Sequence, residues 1–343
     1  MARRTRKAPL TRALQRALNV ITRQVTRTVS QAVTQALQAP SSVLAPSPAK
    51  RAPVRNADCR LGVVVGLAGA PRYWLYKPPG LRRTERLPLV VMLHGCGQDA
   101  EALAASSQMN RIAERQRFLV LYPEQGRLAN AAGCWNWYET RSGRAQGEAG
   151  TIEAAIDQVC LLQPVDPERI TLAGLSAGAG MAALLATRRP ERFRAIAMHS
   201  GIAPGVAHSS ATALMAMGGR QARALPLAPL AAGVRLPGLL VIHGSSDPVV
   251  APSNGAEAAR SWAARIGAKP GTPRTVQRGA RYAATITDYR SGRRLVASLC
   301  EVKGLGHAWS GGAAGQAYSD PKGPDASRMI WAFMVKQFAR GGD

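Results

Sequence analysis

The sequence predicts an α/β fold with a mostly parallel central sheet and helices on both faces. Three observations lead to this prediction. Short apolar runs alternate with longer helix-forming segments between residues 73 and 338, which is typical of strand–helix–strand units. Two of these runs, residues 89–93 and 239–242, end directly in His-Gly turns. A third run, residues 169–173, continues into a G-x-S-x-G motif and then into an Ala- and Leu-rich stretch that favours a helix.

The remaining elements follow from the same alternation, in chain order. Strands are predicted at 73–77, 89–93 and 118–122, with a helix at 101–116. A helix at 151–162 precedes the strand at 169–173, and further strands follow at 193–198 and 239–242. A hairpin at 282–289 and 294–302 leads to a final helix at 325–338. Residues 202–236 are too many for a simple connection, so we expect an insertion that caps the site.

The G-x-S-x-G motif at residues 174–178 is the strongest functional signal in the chain. Small residues on both sides of Ser176 allow a sharp strand-to-helix turn, a nucleophile elbow that lifts the hydroxyl off the sheet. A serine hydroxyl becomes a useful nucleophile when a histidine can take its proton. We therefore predict that Ser176 is a catalytic nucleophile.

An acid and a histidine follow Ser176 in the order used by α/β-hydrolases. Asp247 comes just after the strand at 239–242, where ligands collect in open α/β sheets. His307 lies in a Gly-flanked loop after the last strand, and a neutral imidazole can accept a serine proton near pH 7. We predict a catalytic triad in which Asp247 orients His307. The other four histidines are weaker candidates, because none lies downstream of Asp247: His94, His199, His208 and His243.

An oxyanion hole needs two backbone N–H groups aimed at the developing negative oxygen. The first is predicted to come from Ala177, the residue after the nucleophile. The second is predicted to come from Cys96, in the loop after the strand at 89–93. Glycines at 95 and 97 allow this loop to approach a substrate closely.

Four motifs together resemble the short-chain polyhydroxyalkanoate (PHB) depolymerase family of esterases, whose near relatives include feruloyl and acetylxylan esterases. They are LHGCGQ at 93–98, GCWNW at 133–137, GLSAGAGM at 174–181 and GHAW at 306–309, and the resemblance extends over roughly residues 59–339. It implies an α/β-hydrolase fold and ester hydrolysis through an acyl-enzyme, with Ser176, Asp247 and His307 as the triad. It also implies that Cys96 and Ala177 are the oxyanion donors. Ala179 is a departure, because the family commonly has a second glycine there.

Trp135 and Trp309 are predicted substrate-binding residues. Each lies beside a motif that carries the chemistry, and an aromatic ring can form the wall of a pocket for a short acyl group. The alternative is that each is a half-buried core residue. No polymer-binding module follows the last predicted helix, which argues against attack on crystalline extracellular polymer.

Composition limits the classes of site. No apolar run approaches the roughly 18 residues needed for a membrane span. The five cysteines include no C-x-x-C pair and the histidines include no H-E-x-x-H motif, so we predict no metal and no cofactor. Cys96 and Cys134 both lie in loops expected near the site. A disulfide between them and two reduced thiols are both open interpretations.

The formal net charge of +25 is unevenly distributed, because residues 1–56 contain eleven Lys or Arg and no acid. Apolar residues recur every three or four positions from Leu10 to Ala36, with arginines on the opposite face. We predict a basic amphipathic helix at 1–39, a Pro/Ala/Ser linker at 40–58 and a catalytic domain at 59–339. The helix has four interpretations: attachment to an anionic membrane or polyester granule, a coiled coil, a transit peptide, or a tail without a role.

The sequence therefore predicts a serine esterase, with a short-chain polyhydroxyalkanoate or its oligomers as the favoured substrate. A feruloyl or acetylxylan esterase is the alternative. A non-catalytic granule- or nucleic-acid-binding protein is the alternative of another class, although nucleic acid is disfavoured as a partner. The N-terminus lacks the apolar core of a secretory signal, which favours a cytoplasmic or granule-associated location over an extracellular one.

Overall fold

The computed structural model describes residues 59–65, 70–82, 84–220 and 234–339. The predicted N-terminal helix at 1–39 and linker at 40–58 lie outside these residues, as does part of the predicted insertion, residues 221–233.

The structure contains thirteen strands and seven α-helices within the described residues. The strands are β1 (Cys59–Val63), β2 (Arg72–Tyr76), β3 (Leu87–Leu93), β4 (Leu119–Pro123), β5 (Val165–Leu175), β6 (Ala195–His199), β7 (Gly238–Gly244), β8 (Lys269–Pro270), β9 (Arg274–Val276), β10 (Ala284–Ser291), β11 (Arg294–Val302), β12 (Trp309–Ser310) and β13 (Ser319–Asp320). The helices are α1 (Ala100–Ser107), α2 (Met109–Gln116), α3 (Arg144–Leu162), α4 (Ala177–Arg188), α5 (Ser210–Met217), α6 (Ser253–Ala264) and α7 (Ala326–Phe338).

The main sheet has the strand order β1-β2-β4-β3-β5-β6-β7-β11-β10-β8, with β9 also paired to β10. The six strands from β4 to β11 in this order run parallel to one another. At one edge, β2 pairs antiparallel with both β4 and β1. At the other edge, β10 pairs antiparallel with β11, β8 and β9. The predicted α/β class with a mostly parallel sheet is therefore confirmed. Because parallel strands end at the same edge, the loops after β3, β5, β7 and β11 lie along one side of the sheet.

Two apolar layers enclose the sheet. Helices α3, α4 and α6 pack on one face, and α1, α2 and α7 pack on the other. The central strands β3, β4, β6 and β7 are buried along their whole length, as expected for parallel strands that are covered on both faces. This rigid base supports the loops that carry the predicted site.

The predicted helix at 101–116 is wrong in one respect, because the structure divides it into α1 and α2. Gln108 adopts a left-handed conformation with φ of 55°, and its backbone N–H bonds to the carbonyl of Ala104. A second helix then begins at Met109. Helix propensity at residues 101–116 does not indicate this break, which tertiary packing imposes.

Most other predicted bounds differ by three residues or fewer, but one helix differs by more. The helix expected at 151–162 begins earlier, at Arg144. The insertion at 202–236 includes helix α5, whose N-terminus has a capping box formed by Ser209 and Thr212. Across the part of the chain that the structure describes, no helix is both long enough and apolar enough to cross a membrane.

Candidate active site

Ser176 occupies a strained turn between β5 and α4. Its φ of 56° and ψ of −117° are rare for a residue with a side chain. Strain of this kind persists only where the surroundings impose it, and it is often found at functional sites. The Ser176 N–H donates to the carbonyl of His199 at 2.9 Å, which ties the turn to the end of β6. The predicted nucleophile elbow is therefore present, with Ser176 half-buried at the carboxyl edge of the sheet.

The glycines of the motif are required by close backbone contacts. A Cβ on Gly174 would lie 2.3 Å from backbone atoms of Gly178. A Cβ on Gly178 would lie 2.1 Å from the carbonyl oxygen of Leu93, at the end of β3. Only glycine allows helix α4 to approach the β3 loop this closely.

Asp247 and His307 are in direct contact. Nδ1 of His307 lies 2.8 Å from Oδ2 of Asp247, although the two residues come from loops that follow different strands. The Asp247 side chain is fully buried, and the His307 side chain is 10% exposed. Because a carboxylate can only accept, Nδ1 of His307 carries the proton and Nε2 is left as an acceptor. This is the tautomer that a general base requires.

Hydrogen bonds keep Asp247 ionised. Burial alone raises the pKa of this carboxyl, but the nearby N–H of His243, the hydrogen bond from His307 and a backbone N–H from Val250 lower it, and the net pKa lies well below the ordinary value. The other oxygen, Oδ1, accepts from the N–H groups of Val249 and Val250 at 2.9 Å each. The carboxylate is therefore fixed in position and charged.

His199 and His243 were weaker candidates in the sequence, and the structure places both against the triad positions. His243 Nε2 donates to the carbonyl of Val250 at 2.9 Å and lies 3.5 Å from Oδ2 of Asp247. Nε2 of His199 accepts from the N–H of Ser310, three residues after His307. Burial lowers the pKa of His199 to about 3, so this ring is neutral. The sequence signal for both histidines is a position at or next to the last residue of a buried strand.

Ser176 and His307 are not hydrogen-bonded to each other. Among the described residues, neither the Ser176 hydroxyl nor Nε2 of His307 has a hydrogen-bond partner, so both remain available to a substrate. Hydrogen bonds at active sites without substrate are often long and tighten in the complex. The contacts of His199 with Ser176 and Ser310 connect the nucleophile turn to the His307 loop.

The loop at residues 94–98 lies against the elbow. A Cβ on Gly95 would be 3.5 Å from the Cβ of Ser176. The Gly95 N–H is engaged by Oε1 of Gln98 at 3.1 Å, whereas the Cys96 N–H has no acceptor among the residues described. Ala177 is the first residue of α4, so its N–H has no intrahelical acceptor. Both predicted oxyanion donors are thus unengaged by their own secondary structure.

Cys96 and Cys134 form a disulfide, which decides between the two interpretations left open by the sequence. It joins the predicted oxyanion loop to the loop at 124–143. A backbone bond from Gly97 to the carbonyl of Ala132 at 2.9 Å reinforces the same connection.

Neither predicted substrate-binding tryptophan forms an exposed wall. Trp309 is fully buried, stacks on His199 with ring centroids 5.2 Å apart, and donates its indole N–H to Ser327. These contacts indicate a packing role beneath the His307 loop. Trp135 is 2% exposed and borders a cavity of about 530 Å³ together with Gln98, and its indole N–H has no partner among the described residues. Sequence position alone did not separate the two environments.

The sequence pattern of the esterase PHB depolymerase family matches residues 72–270, which is more than half of the chain. The chain belongs to this family of PHB depolymerase esterases. The matched region contains Ser176, Asp247 and the 94–98 loop, and it ends before His307. The sequence-based resemblance to the family is therefore confirmed.

Similar proteins differ in substrate and in length. Poly(3-hydroxyalkanoate) depolymerase C from Paucimonas lemoignei is 36% identical over 175 residues, covering 49% of this chain and 42% of that protein. Feruloyl esterase B from Neurospora crassa is 27% identical over 250 residues, covering 69% of this chain and 82% of that one. A probable acetylxylan esterase A from Neosartorya fischeri is 26% identical over 219 residues, covering 60% of this chain and 58% of that protein. The chain thus spans about half the length of the first two relatives it matches, the depolymerase and the acetylxylan esterase.

Solved structures support the fold. The acetyl xylan esterase from Aspergillus awamori superposes with a TM-score of 0.58 at 20% identity, over 77% of this chain and 94% of that one. The S-formylglutathione hydrolase from Agrobacterium tumefaciens gives a TM-score of 0.50 at 17% identity, over 83% and 95%. The predicted α/β-hydrolase fold is confirmed.

Proposed function

We propose that this chain is a serine esterase that hydrolyses carboxylic esters through an acyl-enzyme. The observation that carries the proposal is the 2.8 Å contact between His307 and Asp247, at the same edge of the sheet as the strained Ser176 turn. Membership of an esterase family supports the reaction type.

In the proposed acylation step, Oγ of Ser176 attacks the ester carbonyl carbon and its proton passes to Nε2 of His307. The carbonyl π bond opens to an oxyanion, which the N–H groups of Cys96 and Ala177 stabilise. The C–O bond to the alcohol then breaks, and the alcohol oxygen takes the proton back from His307. Asp247 stays ionised throughout and stabilises the imidazolium that forms transiently.

In the proposed deacylation step, His307 removes a proton from water, which attacks the acyl-enzyme carbonyl. A second oxyanion forms at the same two N–H groups. The bond to Ser176 breaks, the hydroxyl is reprotonated by His307, and the carboxylic acid leaves. One oxyanion donor typically contributes 10²- to 10³-fold in kcat, so we expect the Cys96 loop to contribute to turnover together with the triad side chains.

The catalytic assignment is tested with Ser176→Ala and His307→Ala on p-nitrophenyl butyrate. Both variants should lose at least 10³-fold in kcat/KM, since residual rates come only from binding and the oxyanion hole. Ser291→Ala, in the exposed β10–β11 turn, is the matched control and should retain wild-type activity. A fluorophosphonate probe should label Ser176 in the wild type, as judged by peptide mass spectrometry. Substantial activity in Ser176→Ala would refute the assignment.

For the substrate, we propose a short-chain polyhydroxyalkanoate or its oligomers, in keeping with the relative from Paucimonas lemoignei. The feruloyl esterase relative is a specific reason to keep the alternative, because it is covered over 82% of its length. Release of 3-hydroxybutyrate from poly-3-hydroxybutyrate is to be compared with release of ferulate from feruloylated xylan and acetate from acetylxylan. Faster release of ferulate or acetate would favour the alternative. The substrate-binding role of Trp135 is part of this proposal, with Trp135→Ala expected to raise KM.

For the segment at 1–39, we propose attachment to an anionic membrane or polyester granule, on the basis of its basic amphipathic sequence. Deletion of residues 1–45 should leave turnover of a soluble ester unchanged and weaken binding to granules or anionic vesicles. Equal binding by the truncated and complete chains would reject this role.

A further inference from the structure

Among the residues that the structure describes, no helix covers one face of the sheet at its β10 edge. Helix α7 packs over β5, β6 and β7, whereas the helix that packs on β10, α6, does so on the opposite face. Alternate residues of β10 point to the α7 side, and Ile286 among them is only half-buried. Its neighbour across the β10–β11 pair is Cys300. The result is a groove between β10 and α7, called the α7 groove here.

The α7 groove has an apolar floor. Two adjoining cavities of about 580 and 550 Å³ share Ile286, Met329 and Ala332 in their walls. Met329 is half-buried and Ala332 is exposed, and both line the walls of the two cavities. Burial raises the pKa of the Cys300 thiol to about 12, so this part of the floor is uncharged. Each cavity is within the size range of small-molecule sites.

The rim of the α7 groove is strongly basic. Six cationic side chains border the two cavities, against two acids, Asp288 and Asp325: Arg274, Arg278, Arg281, Arg290, Arg328 and Lys336. Asp288 is paired with Arg274 at 2.9 Å. Asp325 caps the start of α7 and lies 3.9 Å from Arg111.

Three of these cations are free to bind a ligand. The side chains of Arg278, Arg328 and Lys336 have no ion pair or hydrogen bond with any residue that the structure describes. They are distributed along the groove, with Arg328 and Lys336 two turns apart on α7. An occupant must therefore combine negative charge with apolar surface.

Charge and shape together select the occupant. Residues 1–56 of the chain carry eleven basic residues and no acid, so like charge disfavours them as a partner for this rim. A nucleic-acid backbone would satisfy the cations but would leave the apolar floor in water. A single-chain carboxylate satisfies both features, with its head group on the free cations and its hydrocarbon on the floor.

We propose that the α7 groove is a binding site for single-chain anionic amphiphiles, specifically medium-chain carboxylates. Binding does not depend on the proposed ester hydrolysis. A link between carboxylate binding in the groove and catalysis rests on the proposed function, because hydrolysis of apolar esters releases carboxylates of this class.

The test uses the full chain and sodium laurate below its micellar concentration, with isothermal titration calorimetry. Laurate should bind with a defined stoichiometry, while butyrate and dodecyltrimethylammonium, which lack the tail and the negative charge respectively, should bind at least tenfold more weakly. The Ala332→Trp variant fills the groove, and the double variant Arg278→Glu, Lys336→Glu reverses the charge of two side chains on the rim. Each variant should bind laurate at least tenfold more weakly than the wild type. The matched controls are Ala264→Trp, at the exposed end of α6, and Arg141→Glu, on an exposed loop.

Laurate binding at the catalytic site, or another partner at the rim, would give a different pattern across the variants. Ser176→Ala should bind laurate like the wild type, and loss of binding in that variant would place laurate at the catalytic site and overturn the groove. Unchanged binding in both groove variants would also overturn the proposal, as would equal affinity for dodecyltrimethylammonium. Binding of an oligonucleotide or anionic vesicle that the groove variants abolish, with laurate binding unaffected, would assign the rim to another partner. Ala332→Trp should retain activity on p-nitrophenyl butyrate, which confirms that it folds.

Discussion

Nε2 of His243 lies 3.5 Å from Oδ2 of Asp247, the same carboxylate oxygen that accepts from Nδ1 of His307 at 2.8 Å. Two imidazoles, one from the end of β7 and one from the loop after β11, therefore meet at one buried oxygen. His243 also donates to the carbonyl of Val250, in the turn that Asp247 itself caps. The ring thus supports both the position and the charge of the carboxylate.

Replacing His243 should reduce turnover without weakening substrate binding. His243→Leu removes the N–H that faces Asp247, and we expect kcat to fall about tenfold, or ~1.4 kcal/mol, with KM unchanged. His243→Gln retains an N–H donor and should recover most of the loss. Steady-state kinetics on p-nitrophenyl butyrate test this, with urea unfolding to follow stability. Equal losses in the Leu and Gln variants would mean that the ring matters for packing alone.

Asp247→Asn should leave the fold intact and nearly abolish activity. The amide oxygen can still accept from the N–H groups of Val249 and Val250. The amide NH₂ would instead favour the wrong tautomer of His307, so kcat should fall by roughly 10⁴. Circular dichroism and kinetics separate the two effects. Asp288→Asn, on strand β10, is the control and should retain activity. More than a tenth of wild-type activity in Asp247→Asn would contradict the assigned role.

The disulfide between Cys96 and Cys134 should contribute measurably to stability. The residues are 38 apart in sequence, and the chain-entropy model assigns about 4 kcal/mol to a loop of this length. Cys96→Ala combined with Cys134→Ala should lower the free energy of unfolding by roughly 2–4 kcal/mol. A reductant should destabilise the wild type to the same extent and leave the double variant unchanged. Cys160→Ala, which removes a free thiol, is the control. A wild type whose unfolding is insensitive to reductant would contradict the prediction.

The free energy of unfolding should decrease as the pH is lowered, because His199 is buried in its neutral form. Burial lowers the pKa of this ring to about 3, whereas an unfolded histidine titrates near 6.5. Between these values the unfolded chain binds a proton that the folded chain does not, so stability is lost as pH decreases below about 6.5. One such group accounts for about 2 kcal/mol between pH 7 and pH 5.

Urea unfolding at pH 7, 6 and 5 measures this slope. His199→Gln should make the slope shallower, because the glutamine oxygen can accept from the Ser310 N–H without titrating. His208→Gln is the control, since His208 lies in the insertion, directly before the N-cap residue Ser209 of α5. An unchanged slope in His199→Gln would assign the pH dependence to other groups.

Much of the fold was accessible from local patterns. The apolar runs that became β3, β5 and β7 are buried throughout most of their length, so their hydrophobicity reports position directly. The elbow at Ser176 was recognisable because its glycines are dictated by backbone contact. The break at Gln108 was not, because helix propensity does not record where α2 must redirect to pack against α7.

The environments of the aromatic and histidine side chains were also beyond sequence reasoning. Trp309 and Trp135 both flank motifs predicted to be catalytic, yet one is packed on His199 and the other borders a cavity. His243 and His199 precede glycine or serine at strand ends, like many structural histidines. Only the positions of neighbouring strands determine which carboxylate or backbone group each ring meets.

The sequence alone determined the strand–helix order, the position of the turn at Ser176 and the types of residue available for chemistry. These are consequences of short-range preferences for burial, chain direction and steric freedom. The tertiary structure decided that Asp247 meets two imidazoles, that Cys96 is joined to Cys134 and that the α7 groove lies between β10 and α7. Such contacts join residues up to 60 positions apart, and they depend on strand order, which local preferences do not encode.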